Sequence, residues 1–147
     1  MIAADNGIVT ALKNSIDMAE KVRELWECEL SERIPILDRY AVSKINGTVP
    51  SKDMILPAGL EIVGMPIVSA GDIPLLEFIE LAGRLMVRRA EAARILTVAK
   101  LSPSVRQVMM MRYVQFLRWH AIAEAMSRSV RWVYSQRDKA FAILRLE

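Results

Sequence analysis

Apolar residues recur at every third or fourth position in three blocks of the chain, which is the spacing of one face of an α-helix. The first block predicts a helix over residues 9–33, and the second predicts a long helix over residues 75–100. The third block, residues 101–147, predicts three short helices and one sharp turn. The pattern therefore favours an all-α fold.

Residues 46–74, between the first two blocks, are predicted to form a linker. They contain four prolines and four glycines, which exclude a long helix. Residues 36–44 are expected to resume as a helix after Pro35, before this linker begins. Residues 54–68 are unusually apolar for a loop, so they pair as a short hairpin, cover the core or bind a partner. Packing is the favoured alternative.

The two N-terminal blocks are expected to form a long helical hairpin or arm over residues 1–100. Residues 101–147 then form a separate helix-turn-helix domain. The apolar stripe of residues 9–33 is narrow and nearly heptad-spaced, so it needs a partner helix. That partner is either the next helix of the same chain or a second copy of the protein.

Local signals mark the first C-terminal helix. It is expected to begin at Ser102-Pro103 or at Ser104, because proline at the first helical position loses no hydrogen bond. Gln107 stands three residues after Ser104, which is the spacing of a capping box. The helix is expected to end near Phe116.

The second and third C-terminal helices are separated by a predicted break at Ser127-Arg128. The helix before the break carries one apolar stripe over two turns: Trp119, Ile122, Ala123 and Met126. Ser129, directly after the break, is well placed to cap the third helix. This order of helix, turn and helix is typical of a DNA-binding motif.

The third helix has two faces when residues are placed at 100° intervals. Val133, Ala140 and Leu144 fall within a narrow arc that would pack on the second helix. The opposite arc carries Arg131, Ser135 and Asp138, flanked by Trp132 and Tyr134. Donors and aromatic edges on one helix face suit the reading of base edges in a major groove. The same face also fits the solvated surface of a small helical bundle.

Roles can be assigned to these side chains. Arg131 is the candidate for a base contact, because arginine pairs in bidentate fashion with guanine. Trp132 either contacts a thymine methyl group or a sugar, or packs against the first helix. The candidates for phosphate contacts, which position a protein without specifying sequence, are Arg118, Arg128, Arg137 and Lys139. The remaining expected DNA-binding residues are Ser129, Tyr134, Ser135 and Asp138.

A run of residues in the C-terminal block carries a resemblance to a known family: Arg112-Tyr113, Trp119, Ile122-Ala123, Met126, Ser129 to Tyr134, and Ala140. The run resembles the C-terminal helix-turn-helix of bacterial sigma factors, their fourth conserved region. More specifically, it resembles the sigma-like tail of small phage and prophage proteins, some called late-operon transcription regulators. A weaker likeness extends upstream, through residues 36–39, residues 45–48 and Gly71-Asp72. The resemblance implies double-stranded DNA as the partner.

The chain departs from this family at three positions. The family has glycine where this chain has Phe116 and where it has Ser127. Both glycines serve turns that favour positive φ, so the residues found here are expected to be strained. Gln136 stands where an apolar residue is typical.

Charge is distributed unevenly along the 147 residues, although the formal net charge is only +3. Residues 1–83 hold 7 Lys and Arg against 13 Asp and Glu, whereas residues 84–147 hold 13 against 4. A basic C-terminal part suits a protein with one end facing a polyanion, although ordinary surface charge would also account for it.

The composition indicates no catalytic or metal chemistry. Cys28 is the only cysteine and His120 the only histidine, so neither a zinc site nor a Ser-His-Asp set is expected. There is no glycine-rich phosphate loop, and no cofactor is expected. A lone cysteine fits a reducing cytoplasm, that of the bacterial host if the protein is phage-encoded. No signal peptide and no membrane span are expected, because the longest apolar region is broken by prolines and glycines.

The sequence therefore predicts a non-enzymatic, sequence-specific double-stranded DNA-binding protein, a phage or prophage transcription regulator rather than a complete sigma factor. Its third C-terminal helix would enter a major groove, while the N-terminal helices form a homodimer or touch another protein such as RNA polymerase. Two alternatives remain open. One is a small terminase-like DNA-packaging protein, which would form a ring. The other is a helical adaptor between proteins with a vestigial DNA-binding tail.

Overall fold

The computed structural model of the protein describes residues 7–25, 27, 51–56 and 73–146. Throughout these ranges the regular secondary structure is helical, and the predicted all-α class is confirmed. The helices are α1 (Ile8–Leu25), α2 (Ile73–Val98), α3 (Pro103–Tyr113), α4 (Trp119–Ala125) and α5 (Val130–Leu146). The predicted helix over residues 36–44 and most of the predicted linker lie outside the described residues.

The apolar stripe of α1 is buried against the rest of the same chain. Its inward positions, Val9, Leu12, Ile16, Ala19 and Val22, belong to one core cluster with apolar residues of α2, such as Leu85 and Leu96. The first turns of α1 lie beside the last turns of α2, where both helices line a common cleft. The apolar stripe of α1 was predicted to pack either on the next helix of the same chain or on a second copy of the protein. In the structure it packs on α2, the next described helix of the same chain.

This core cluster extends into the C-terminal block. It includes Val105, Met109 and Tyr113 from α3, and Ala140, Phe141 and Leu144 from α5. A second, smaller cluster joins α3, α4 and α5 through Val108, Ile122, Ala123 and Val133. The three C-terminal helices thus have a small core of their own and also share the main core with α1 and α2.

The 51–56 segment forms hydrogen bonds both with α1 and with the connection between α3 and α4. Its Ile55 and Leu56 are buried, with 0% and 2% of their surfaces exposed. The Ile55 amide donates to the Phe116 carbonyl at 2.7 Å, and the Arg118 amide donates to the Asp53 carbonyl at 2.8 Å. On the other side, Arg23 Nη1 donates to the carbonyls of Ser51 and Met54. Of the predicted apolar stretch 54–68, the described residues therefore pack onto the core.

α3 begins at the first of its two predicted starts, Ser102-Pro103, but ends earlier than predicted. The helix begins at Pro103, so Ser102 is its N-cap, and the Ser102 side chain makes no capping hydrogen bond. Ser104 then lies inside the first turn, and its hydroxyl donates to Gln136 Oε1 at 3.3 Å. The predicted capping box with Gln107 is therefore wrong, because the helix begins before Ser104. α3 also ends at Tyr113, three residues before the expected Phe116.

Candidate nucleic-acid interface

α4 ends in a Schellman motif that turns the chain towards α5. The Ser127 amide donates to the Glu124 carbonyl at 3.1 Å, and the Arg128 amide donates to the Ala123 carbonyl at 2.9 Å. These are the two bonds of that motif, and it requires a left-handed residue after the C-cap. Ser127 provides it, with φ 54°. The break lies where the sequence predicts it, and the residue there has the positive φ that glycine would adopt without strain.

Ser129 caps α5 as predicted. Its hydroxyl accepts a hydrogen bond from the Trp132 amide at 3.1 Å, which satisfies one of the free donors in the first turn. The Ser129 carbonyl accepts from the Val133 amide at 3.2 Å, so the helical bonds start there. The cap fixes the start of α5 and therefore the direction in which its faces point.

The inward face of α5 is the predicted one. Val133, Ala140 and Leu144 are fully buried, with 0% exposure each. Val133 packs with α4 in the small cluster, as predicted. Ala140 and Leu144 instead join the main core with α1, α2 and α3, so their predicted packing on α4 is wrong. Gln136 is also buried, at 5% exposure, and accepts the hydrogen bond from Ser104. A polar residue at this position is tolerated because its side-chain oxygen has a partner.

The outward face of α5 is open to solvent. It forms a continuous line of exposed residues at helical spacing, here called the outward stripe: Arg131, Tyr134, Ser135, Asp138, Lys139 and Ala142. α1 packs near Phe141, which lies beside this stripe and is buried. Neither α1 nor the 51–56 segment covers the stripe. Five of the predicted DNA-binding residues are thus brought together on one accessible face.

Arg128 and Trp132 lie together at the start of α5. The Arg128 guanidinium stands 5.0 Å from the centre of the Trp132 ring. Trp132 is half-buried and packs against the small cluster of α3, α4 and α5. Trp132 therefore packs within the chain, whereas the Arg128 side chain is exposed to solvent.

Arg137 lies on the other side of the outward stripe. Its guanidinium is 4.7 Å from the centre of the Tyr134 ring and 5.6 Å from that of Trp119. Arg137 Nη2 also pairs with Asp138 at 3.0 Å. These contacts leave the Arg137 side chain 31% exposed, so this candidate for a phosphate contact is already engaged within the chain.

Arg118 is held by the N-terminal half. Its Nη1 lies 2.8 Å from Glu20 Oε1 on α1, and the pair is partly exposed. Next to it, His120 Nε2 lies 3.0 Å from Asp53 Oδ1 of the 51–56 segment. The predicted phosphate contact by Arg118 would therefore compete with a carboxylate that only the fold brings close.

Arg112 has an electrostatic position that the sequence did not indicate. Its guanidinium stacks 4.5 Å from the centre of the Trp119 ring, and Nη1 donates to the Leu117 carbonyl at 3.2 Å. Its Nε is buried and has no acceptor among the described residues. Burial lowers the pKa of this guanidinium, and burial raises the pKa of the adjacent Tyr113 to about 12. In the sequence, Arg112 stood out only as part of the Arg112-Tyr113 pair that contributes to the family resemblance.

The described part of the chain holds neither a cluster of potential metal ligands nor a helix of membrane-spanning character. Its His, Cys, Asp and Glu side chains form no group of three or more that could hold a metal ion. None of its helices combines the length and apolar character that crossing a bilayer requires.

Comparison with known proteins gives no match. No protein family matches the sequence, and no curated protein or solved structure matches it either. The resemblance to the fourth conserved region of sigma factors therefore stays a prediction, based on the residues quoted for it.

Proposed function

We propose that the protein is a sequence-specific double-stranded DNA-binding protein, a transcription regulator of the phage or prophage kind. In this proposal α4 and α5 act as a helix-turn-helix, and α5 enters a major groove. RNA polymerase is the proposed protein partner. The function is non-enzymatic and uses no cofactor.

The observation that carries the proposal is the outward stripe on a helix whose other face is anchored. Three fully buried residues and the Ser129 cap hold α5 in place, while Arg131, Ser135 and Lys139 remain exposed. An α-helix with its side chains is about 10–12 Å wide, and the major groove of B-DNA is about 12 Å wide. A rigid helix with one free polar face is therefore suited to docking there.

The chemistry of the stripe supports base reading near the start of α5. Arg131 is exposed, so its fork of donors can reach the O6 and N7 acceptors of a guanine. Arg128 and Lys139 are also exposed, beside the polar face, where one sugar-phosphate strand would pass. The excess of positive charge in residues 84–147 favours approach to a polyanion.

The proposal is tested by selecting bound fragments from the genome of origin and comparing two arginine variants on them. Arg131→Ala is expected to weaken binding to the preferred site by roughly 10- to 100-fold and binding to random duplex far less, because it removes a base contact. Arg128→Ala is expected to weaken binding to the preferred site and to random duplex equally, because it removes a phosphate contact. It should also reduce the salt slope, the slope of the logarithm of the binding constant against the logarithm of salt concentration, by about 0.9.

The controls decide between the alternatives. Equal effects of the two variants would contradict the assigned roles, and a wild-type protein that retains no duplex at low salt would contradict the function itself. Light scattering on the purified protein gives the number of subunits. A closed ring of many subunits would favour the terminase-like alternative.

A further inference from the structure

A groove of about 530 Å³ lies between α1 and α5, next to the outward stripe. Its walls come from four helices, α1, α3, α4 and α5. It shares Asp138 with the outward stripe, so the two surfaces are continuous. We call it the cationic groove, because four of its lining residues are positively charged: Lys13, Arg112, Arg137 and Arg145.

Among the described residues that line the cationic groove, positive charges outnumber negative ones. Two carboxylates line it, Asp17 and Asp138. Arg137 pairs with Asp138 at 3.0 Å. Within the described ranges, no salt bridge joins Lys13, Arg112 or Arg145 to a carboxylate. Partial burial of Arg112 keeps one of these charges away from water, and an unpaired charge in such a place favours an anion beside it.

Two of the three aromatic rings that line the groove, Phe141 and Trp119, already have cations beside them, and the third residue, Tyr113, is buried. Lys13 Nζ lies 5.4 Å from the centre of the Phe141 ring, and Arg145 Cζ lies 5.7 Å from the same centre. The Trp119 ring has Arg112 at 4.5 Å. The groove therefore presents charged groups rather than free ring faces on which a nucleobase could stack. This chemistry suits a bare phosphate better than a nucleoside.

We propose that the cationic groove binds phosphate, supplied by the backbone of the DNA on which α5 docks, with Lys13 and Arg145 as the contacting groups. The inference rests on the proposed function. A helix lying in a major groove has a sugar-phosphate backbone on each side. Arg128 and Lys139 face one of these strands, and the cationic groove faces the other. Lys13 makes α1 part of the interface, although it is remote in sequence from the predicted DNA-binding domain.

Lys13→Gln tests the inference, and Lys21→Gln is its matched control. Both lysines are exposed on α1, so neither change should disturb the fold, and only Lys13 lines the groove. Lys13→Gln is expected to raise the Kd for duplex by roughly three- to eightfold at 0.1 M salt and to lower the salt slope by about 0.9. Preferred and random sequences should be affected equally, and Lys21→Gln should change neither quantity.

Asp17→Asn provides a test of opposite sign. Asp17 is exposed and lines the same groove, so removing its charge should lower the Kd for duplex. If Lys13→Gln and Lys21→Gln weaken binding to the same extent, only net charge matters. The inference is then overturned, while the proposed function stands.

Inorganic pyrophosphate, followed by NMR, tests the groove without DNA. Amide signals around Lys13 and Arg145 should shift in the wild type and much less in Lys13→Gln. If pyrophosphate binds there but duplex does not bind at all, the groove is a phosphate site and the proposed function is wrong. Adenosine diphosphate binding that is tighter than duplex binding would make a free nucleotide the source of the phosphate. Absence of both pyrophosphate and duplex binding overturns the inference.

Discussion

Ser127 holds a left-handed conformation that the Schellman motif at the end of α4 requires. Serine pays a steric cost there because its Cβ crowds the backbone, whereas glycine does not. Ser127 is exposed and contributes nothing to the core. Ser127→Gly is therefore expected to raise the free energy of unfolding by about 1 kcal/mol, measured by urea titration.

Phe116 is the comparison for that prediction, since it has almost the same φ, 55°. Its side chain is 2% exposed and belongs to the main core. Phe116→Gly relieves about 1 kcal/mol of backbone strain but loses about 3–5 kcal/mol of packing, so it should destabilise. If Ser127→Gly also destabilised the protein, strain at these positions would not be the dominant effect.

At the scale of the element, the two serine caps of the C-terminal helices form a natural pair. Ser129 accepts a hydrogen bond from the Trp132 amide, whereas Ser102 makes no side-chain cap bond. Both serines are exposed. Ser129→Ala is expected to lower the free energy of unfolding by about 1 kcal/mol, and Ser102→Ala by only a few tenths.

Chemical denaturation of both alanine variants measures this difference. Because the Ser129 cap also fixes the direction of α5, the same variant should weaken duplex binding slightly under the proposed function. Equal losses of stability from the two substitutions would mean that the hydrogen bond between the Ser129 hydroxyl and the Trp132 amide does not determine the stability of α5.

At the scale of the whole molecule, the main core joins α1 and α2 to α3 and α5. A substitution in the buried face of α1 should therefore also destabilise α5. Leu12, 3% exposed, is the probe, and Leu12→Ala is expected to cost about 2–5 kcal/mol. Native-state hydrogen exchange should show that slowly exchanging amides of α5 lose protection together with those of α1.

Val87→Ala is the control for this coupling, because Val87 is apolar but 68% exposed on α2. It should leave the protection of α5 unchanged. If Leu12→Ala lowered the protection of α1 alone, residues 101–147 would unfold as an independent unit despite the shared core.

Local structure was predicted well wherever it depends on neighbours in sequence. Helical periodicity predicted α2 to within two residues at each end, and it predicted the buried face of α5. The position of the break and the cap at Ser129 follow from residue types that act within one turn. The family resemblance indicated positive φ at Phe116 and Ser127, and the structure has it at both. The capping box failed because its prediction needed the starting residue of α3, and helix ends are set by small energy differences.

What only the tertiary structure decided is which distant residues meet. The sequence by itself determined the all-α class and the two faces of α5, because these follow from spacing along one helix. It could not place Glu20 beside Arg118, Ile55 beside Phe116, or Lys13 beside Phe141. Those contacts join positions tens of residues apart, and they exist because packing of the shared core brings α1 and the 51–56 segment against the C-terminal helices.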